Sequence, residues 1–173
     1  MPGADPRSRE EVERFCAAAL PEVYGYLLAR TGDPALAEEL TAESFMAVVR
    51  AFRRPDPPDL TMGWIIVVAR RRLVDHWRSL ERQRRRARLL DVDHDDASVA
   101  YWDEPPDKEL ALAALMGLAP HHRAVLTLRY LDGLAVGEVA AELGRGYHAT
   151  EALLQRARRA LRRAYEIEVR AHA

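Results

Sequence analysis

Residues 136–163 constrain this chain more than any other stretch. A short apolar-periodic segment, Val136 to Leu143, meets a long one ending in QRARRALRR across Gly144-Arg145-Gly146. Both segments repeat apolar residues at helical spacing, and the glycines between them permit a tight turn. Val136, Val139, Ala140, Leu143, Leu154, Ala157 and Leu161 fall where two helices meeting at such a turn pack together, and Ala140 is small enough for close approach. The other face of the second segment is arginine: Arg156, Arg158, Arg159, Arg162 and Arg163. That is the pattern of a helix-turn-helix, whose second helix offers its start to base edges and its cations to phosphates. An ordinary helical hairpin with a solvated arginine face shares the periodicity. Five arginines are nevertheless more than one packing role needs, and they suit backbone contact, which strengthens binding without selecting sequence. Selection then falls to Tyr147, His148, Thr150, Glu151 and Gln155. Glu151 repels phosphate but is able to accept a hydrogen bond from cytosine.

The remaining segments are helical as well, with no convincing β alternation, so the expected class is all-α. Ser8 and Glu11 make a capping box for a first helix. Pro21 suits the start of a second helix, which ends at Thr31-Gly32. Asp33-Pro34 reads as N-cap and first-turn proline of a third, extending to about Arg53, with Leu36, Leu40, Ala47, Val48, Ala51 and Phe52 inward and Glu38, Glu39 and Glu43 outward. After a rigid Pro55, Pro57, Pro58 loop, a helix from Thr61 carries Trp64, Ile65, Val68, Ala69, Leu73 and Trp77 on one face, with Arg70, Arg71 and Arg78 elsewhere. Downstream, helices are expected over 108–118, 120–131, 136–143 and from His148 to about Glu168.

Charge divides the chain more sharply than its net −1 suggests. Residues 60–90 hold 9 basic and 2 acidic groups, residues 91–109 hold 1 and 8, and residues 110–173 hold 9 and 6. Two cationic blocks flanking an anionic strip point to two nucleic-acid contacts rather than one. The strip DVDHDDASVAYWDEPPD is poor in apolar residues and carries Pro105-Pro106, so it reads as a flexible linker. The expected organisation is two small helical domains, residues 8–80 and 109–168, joined by an acidic linker over 81–108. Arginines beside Trp64 and Trp77 fit cations on a backbone and rings against exposed bases, although the tryptophans equally suit a core.

Several other chemistries are not supported. Asp91, Asp93 and Asp95 imitate the start of a calcium loop, but Asp96 and Trp102 stand where it needs glycine and glutamate. His121-His122 point different ways on a helix, and Cys16 is the sole cysteine, so no metal site is expected. No phosphate loop, nucleophile elbow or carboxylate pair suggests catalysis, and neither an enzyme nor a cofactor is expected. No apolar run has signal-peptide or membrane-spanning length, so a cytoplasmic protein without membrane insertion is expected.

Taken together, RTGDPALAEELTAESFMAVVRAF, GWIIVVARRRLVDHWRS, LAPHHRAVLTLRYLDGL and RARRAL resemble bacterial extracytoplasmic-function (ECF) sigma factors of the sigma-70 family. The resemblance covers roughly residues 10–80, similar to the sigma-2 domain, and 109–166, similar to the sigma-4 domain. It implies a non-catalytic subunit that binds core RNA polymerase at the β′ clamp and β flap, directs it to promoter DNA, and leaves open an anti-sigma factor as a further partner. By position, Glu39, Glu43, Phe45 and Met46 are implied to dock on the clamp. Arg70, Arg71, Arg72, Asp75, His76 and Arg78 are implied to face the −10 element. Arg145, Tyr147, His148, Thr150, Glu151, Gln155, Arg156 and Arg159 are implied to face the −35 element. The acidic strip is implied to thread the polymerase's cationic channels. Departures from the usual wording are Ala42, Arg71 in place of a frequent asparagine, Glu151 at a lysine-like position and Leu153 at an arginine-like one. The rival reading is a stand-alone helix-turn-helix regulator that binds operators directly.

Overall fold

The computed structural model describes residues 9–87 and 107–172, so Ser8 and most of the acidic strip lie outside the described residues. Seven α-helices and one π-helical turn account for nearly all of them, and the chain divides into two compact units at Leu73/Val74.

In the first unit, α1 (Arg9–Thr31) and α2 (Pro34–Phe52) form a helical hairpin. The expected break at Pro21 is absent, and α1 runs straight through it. Pro21 and Ala17, whose carbonyl loses its helical donor there, are both exposed, so that carbonyl is not buried away from solvent. Ala19, Val23 and Leu27 are fully buried on both sides of that point, and their burial outweighs the local cost. The turn needs Gly32, at φ 63°. Asp33 then caps α2, with Oδ1 accepting from the amides of Ala35 at 2.9 Å and Leu36 at 3.3 Å. Leu40, Val48 and Ala51 are buried as the apolar stripe requires, and the buried hydroxyls of Thr41 and Ser44 donate to the carbonyls of Ala37 and Leu40. Helix α3 (Met62–Ala87) starts at Thr61, whose Oγ1 accepts from the Trp64 amide at 3.2 Å. Its residues Ile65, Ala69 and Leu73 are buried in this unit.

The second unit begins inside α3, seven residues before the sequence boundary at 80, and residues 81–87, read as linker, are helical. Two contacts account for this. Val74 joins the second unit's core and Trp77 is 1% exposed, so the helix is anchored there. One turn later Glu81 accepts from Arg85 Nε at 3.0 Å and from His121 Nδ1 at 2.9 Å, which neutralises part of an otherwise repulsive arginine run.

Helix α4 (Lys108–Gly117) is capped by Asp107, whose Oδ1 accepts from the amides of Glu109 and Leu110. The Asp107 amide donates to the Tyr165 hydroxyl at 2.9 Å, tying the start of α4 to α7 (Tyr147–His172). Helix α5 (Pro120–Leu126) follows, and Arg123 closes the end of α4 by donating to the carbonyls of Met116 and Leu118. The helix expected over 120–131 changes character at Thr127–Leu131, a π-helical turn in which the Asp132 amide reaches the Thr127 carbonyl at 3.0 Å. Arg129 fastens the exit by donating to the Leu134 carbonyl. Helix α6 (Val136–Leu143) then packs on α7, around a core of Leu115, Val125, Leu128, Val139, Leu153, Leu154 and Ala157.

Candidate nucleic-acid interface

The turn between α6 and α7 shows why this sequence makes a helix-turn-helix. Gly144 sits at φ 61°, ψ 40°, the left-handed region that a Cβ disfavours. Its amide reaches the Ala141 carbonyl at 3.1 Å, and the Arg145 amide reaches Ala140 at 2.9 Å, the paired bonds of a Schellman stop. The next free carbonyl, Glu142, accepts from Arg78 Nη2 at 2.6 Å, so a cation from α3 caps the negative end of α6. Of the two turn glycines only Gly144 has positive φ, whereas Gly146 contributes its carbonyl, which accepts from the Thr150 amide at 3.0 Å. At its other end α6 is held by Glu138, whose Oε2 accepts from the Ala135 amide at 2.7 Å.

This turn presents the first turns of α7 outward. Tyr147, His148 and Gln155 are exposed, Glu151 is half-exposed, and Arg158 continues their face. His148 Nδ1 lies 3.4 Å from Glu151 Oε2, which gives the awkward carboxylate a local partner whenever the imidazole is protonated. The Tyr147 ring meets the His148 ring edge-on at 5.6 Å. Thr150 departs from expectation. It is fully buried, and its hydroxyl donates to the Gly146 carbonyl at 3.0 Å, so it positions the helix start instead of facing a base. Arg156 and Arg159 are half-buried and already engaged within the molecule, while Arg158 and Arg163 are exposed. Arg162 pairs with Glu166 at 3.2 Å. Arg145, in the turn itself, is exposed.

Leu153, the leucine at an arginine-like position, is 1% exposed and central to the core. The 150-153-157 spacing marks that inward row and was the available signal. The Arg78 cap and the Glu81–His121 pair, 40 residues apart in sequence, had no signal at all. At Glu81, burial pushes the carboxyl pKa up, but the hydrogen bonds from His121 and Arg85 outweigh it and leave the group below the usual carboxylate range.

Along the earlier part of α3, Arg71 is exposed, Arg70, Arg72 and His76 are half-buried, and exposed Asp75 lies 3.5 Å from Arg78 Nη1. Trp64 is half-buried, and Trp77 is core and offers no open ring for stacking. On α2, Glu39, Glu43 and Met46 form one exposed row at helical spacing, with Phe45 half-buried beside it. Val49, 38% exposed, extends that row and was not foreseen. Cys16 is half-buried, and burial pushes its thiol pKa up, away from a reactive thiolate. Among the described residues, no helix is long and apolar enough to cross a membrane.

Over residues 30–167 the sequence matches the family model described as ECF sigma factor. It is 32% identical over 151 residues to the ECF RNA polymerase sigma factor BldN of Streptomyces coelicolor, covering 82% of this chain and 55% of that protein. With the ECF RNA polymerase sigma factor SigF of Caulobacter vibrioides, identity is 33% over 134 residues, covering 76% of this chain and 72% of the relative. The chain therefore spans about half the length of BldN and most of the length of SigF. The fold is similar to that of the sigma factor RpoE in its complex with the anti-sigma factor NepR from Bartonella quintana. The TM-score is 0.53 at 16% identity, over 90% of this chain and 96% of that one.

Proposed function

The chain belongs to the ECF sigma factor family, and from that premise we propose that it acts in the bacterial cytoplasm as a non-catalytic specificity subunit of RNA polymerase, binding the core enzyme and selecting promoters. The observation that carries the reading is the Gly144 turn, which holds the start of α7 outward with Tyr147, His148, Glu151 and Gln155 accessible together. A helix start of that kind fits the major groove, and in this reading it selects the −35 element. Exposed Arg145 and Arg158 serve the flanking phosphates, beside Arg156 and Arg159, which also interact within the molecule. Residues 8–80 are assigned to core binding and the −10 element, residues 109–168 to the −35 element, and the segment between them to the connection.

The exposed row Glu39, Glu43 and Met46, with Phe45 at its side, suits a partner that is basic and partly apolar, as the β′ clamp contact requires. Arg70, Arg71 and Arg72 supply cations along α3 for the −10 strand, with Asp75 and His76 beside them. Holding an unpaired strand costs a few kcal/mol per unstacked step, which cationic contacts must offset. Arg78 belongs to that set as well, with Nη2 held on the Glu142 carbonyl. The β flap and an anti-sigma factor are proposed as further partners.

The test is transcription in vitro by core polymerase on genomic templates, with and without the purified chain. New, discrete start sites sharing two spaced sequence elements are expected. Unchanged start sites despite stable, folded protein would overturn the assignment.

A further inference from the structure

Helix α7 turns one charge of the wrong sign toward a surface suited to DNA. Between Arg145 and Arg163 stand six arginines and one acidic residue, Glu151. The roll of the helix is fixed by Thr150, Leu153, Leu154 and Ala157, none of them more than 6% exposed. At helical spacing His148 and Gln155 lie opposite that buried row, with Glu151 one row to the side, its side chain 45% exposed.

The ordinary uses of a helical carboxylate do not account for it. Glu151 is the fifth residue of α7, past the first turn, where an acid offsets the helix dipole. Among the described residues no arginine pairs with it and neither of its oxygens accepts a hydrogen bond. Its one partner is His148, whose Nδ1 lies 3.4 Å from Oε2 and attracts it only when protonated. A carboxylate brought to DNA is repelled by phosphate, so it detracts from binding unless it meets a donor. In the major groove two base groups donate, N4 of cytosine and N6 of adenine. Adenine N6 lies between two acceptors, its own N7 and thymine O4, and both repel a carboxylate. Cytosine N4 has an acceptor on one side only, the guanine O6. A carboxylate therefore fits cytosine, whereas a carboxamide, which both donates and accepts, fits adenine.

We propose that Glu151 is a specificity-determining residue that selects cytosine at one position of the element read by α7. The inference rests on the −35 assignment above and deepens it to one base and one atom, with a Glu151 oxygen accepting from cytosine N4–H. The arginines set how tightly any sequence is held. Glu151 lowers that affinity everywhere and restores it only where cytosine supplies the donor, so it selects chiefly by rejecting the other bases.

The test uses core polymerase carrying the full chain and a promoter library randomised over the −35 element, with the bound sequences read after gel separation. The wild-type chain is expected to enrich cytosine about tenfold at one position. Glu151→Gln should move that position to adenine, and Glu151→Ala should leave it unselective, with the other positions keeping their bases. Binding to a scrambled duplex should tighten in both variants, because a charge repelled by phosphate is gone. A structural role for Glu151 predicts the opposite, weaker binding to every sequence together with a lower melting temperature. The same base preference in all three proteins, loss of selectivity at every position, or weaker binding to the scrambled duplex overturns the proposal. If an element is still enriched but Glu151 variants leave it unchanged, the −35 assignment stands and the role of Glu151 falls. A wild-type holoenzyme that enriches no element overturns both.

Discussion

Replacing Gly144 and Gly137 by alanine should have opposite effects on stability, because Gly137 lies within α6 and Gly144 ends it. Gly144 holds φ 61°, ψ 40°, and a non-glycine residue in that region costs about 1–2 kcal/mol. A Cβ there also meets Arg78 Nη2 at 3.3 Å, close enough that the guanidinium must shift from its 2.6 Å bond to the Glu142 carbonyl. A charged hydrogen bond is worth about 1.5–3 kcal/mol net. Because the Arg78 side chain is 38% exposed and water replaces part of the bond, the added loss should be under about 1 kcal/mol. Gly144→Ala should therefore destabilise the second unit by about 2 kcal/mol. At Gly137, in the first turn of α6, a Cβ meets nothing within 4 Å, and alanine should stabilise by roughly 0.5 kcal/mol, part of the helix-interior difference between the two residues. Urea denaturation followed by selective tryptophan excitation reports the second unit if Trp77 is the only tryptophan, which Trp64→Phe and Trp102→Phe achieve. With Arg78→Ala in the background, Gly144→Ala should cost only its backbone share. Equal midpoints for the two glycine variants would refute the account of the turn. A full Gly144→Ala penalty in the Arg78→Ala background would refute the contact with the guanidinium.

Three further outcomes are expected. The Glu81 carboxyl is held below its unfolded value of about 4.3, so its contribution is present above that pH and is lost as pH falls through the lower folded value; Glu81→Gln should make the melting temperature less steeply pH-dependent between about pH 5 and 3, and an unchanged slope counts against the Arg85 and His121 bonds. Leu153→Ala should cost about 2–5 kcal/mol, read by the same urea titration, while Leu153→Arg, which restores the family's common residue type, should fail to give a folded second unit because a charge enters the core. Glu39→Arg with Glu43→Arg should abolish capture of core polymerase in a pull-down while leaving thermal stability within about 0.5 kcal/mol, since both side chains are exposed, and retained capture moves the clamp contact elsewhere.

Periodicity and punctuation in the sequence determined the helices, because each is specified by residues within one or two turns of itself. Asp33-Pro34 opens α2, Gly32 and Gly144 turn the chain where left-handed backbone is required, and Val136–Leu143 is bounded as its apolar pattern dictates. The acidic row on α2 and the exposed start of α7 were legible for the same reason, since a helical face is a repeat in the sequence. The tertiary structure alone decided what depends on groups distant along the chain. Pro21 is carried through α1 because burial on either side outweighs one lost bond, and α3 continues past residue 80 because Val74 joins the core of the second unit and Glu81 pairs with His121. Arg78 became a cap on α6, and Thr150 and Leu153 turned inward, because α7 rolls until its buried row meets Val139 and Leu115. Local chemistry sets which residues form a helix, but which face is core is set by what the helix packs against.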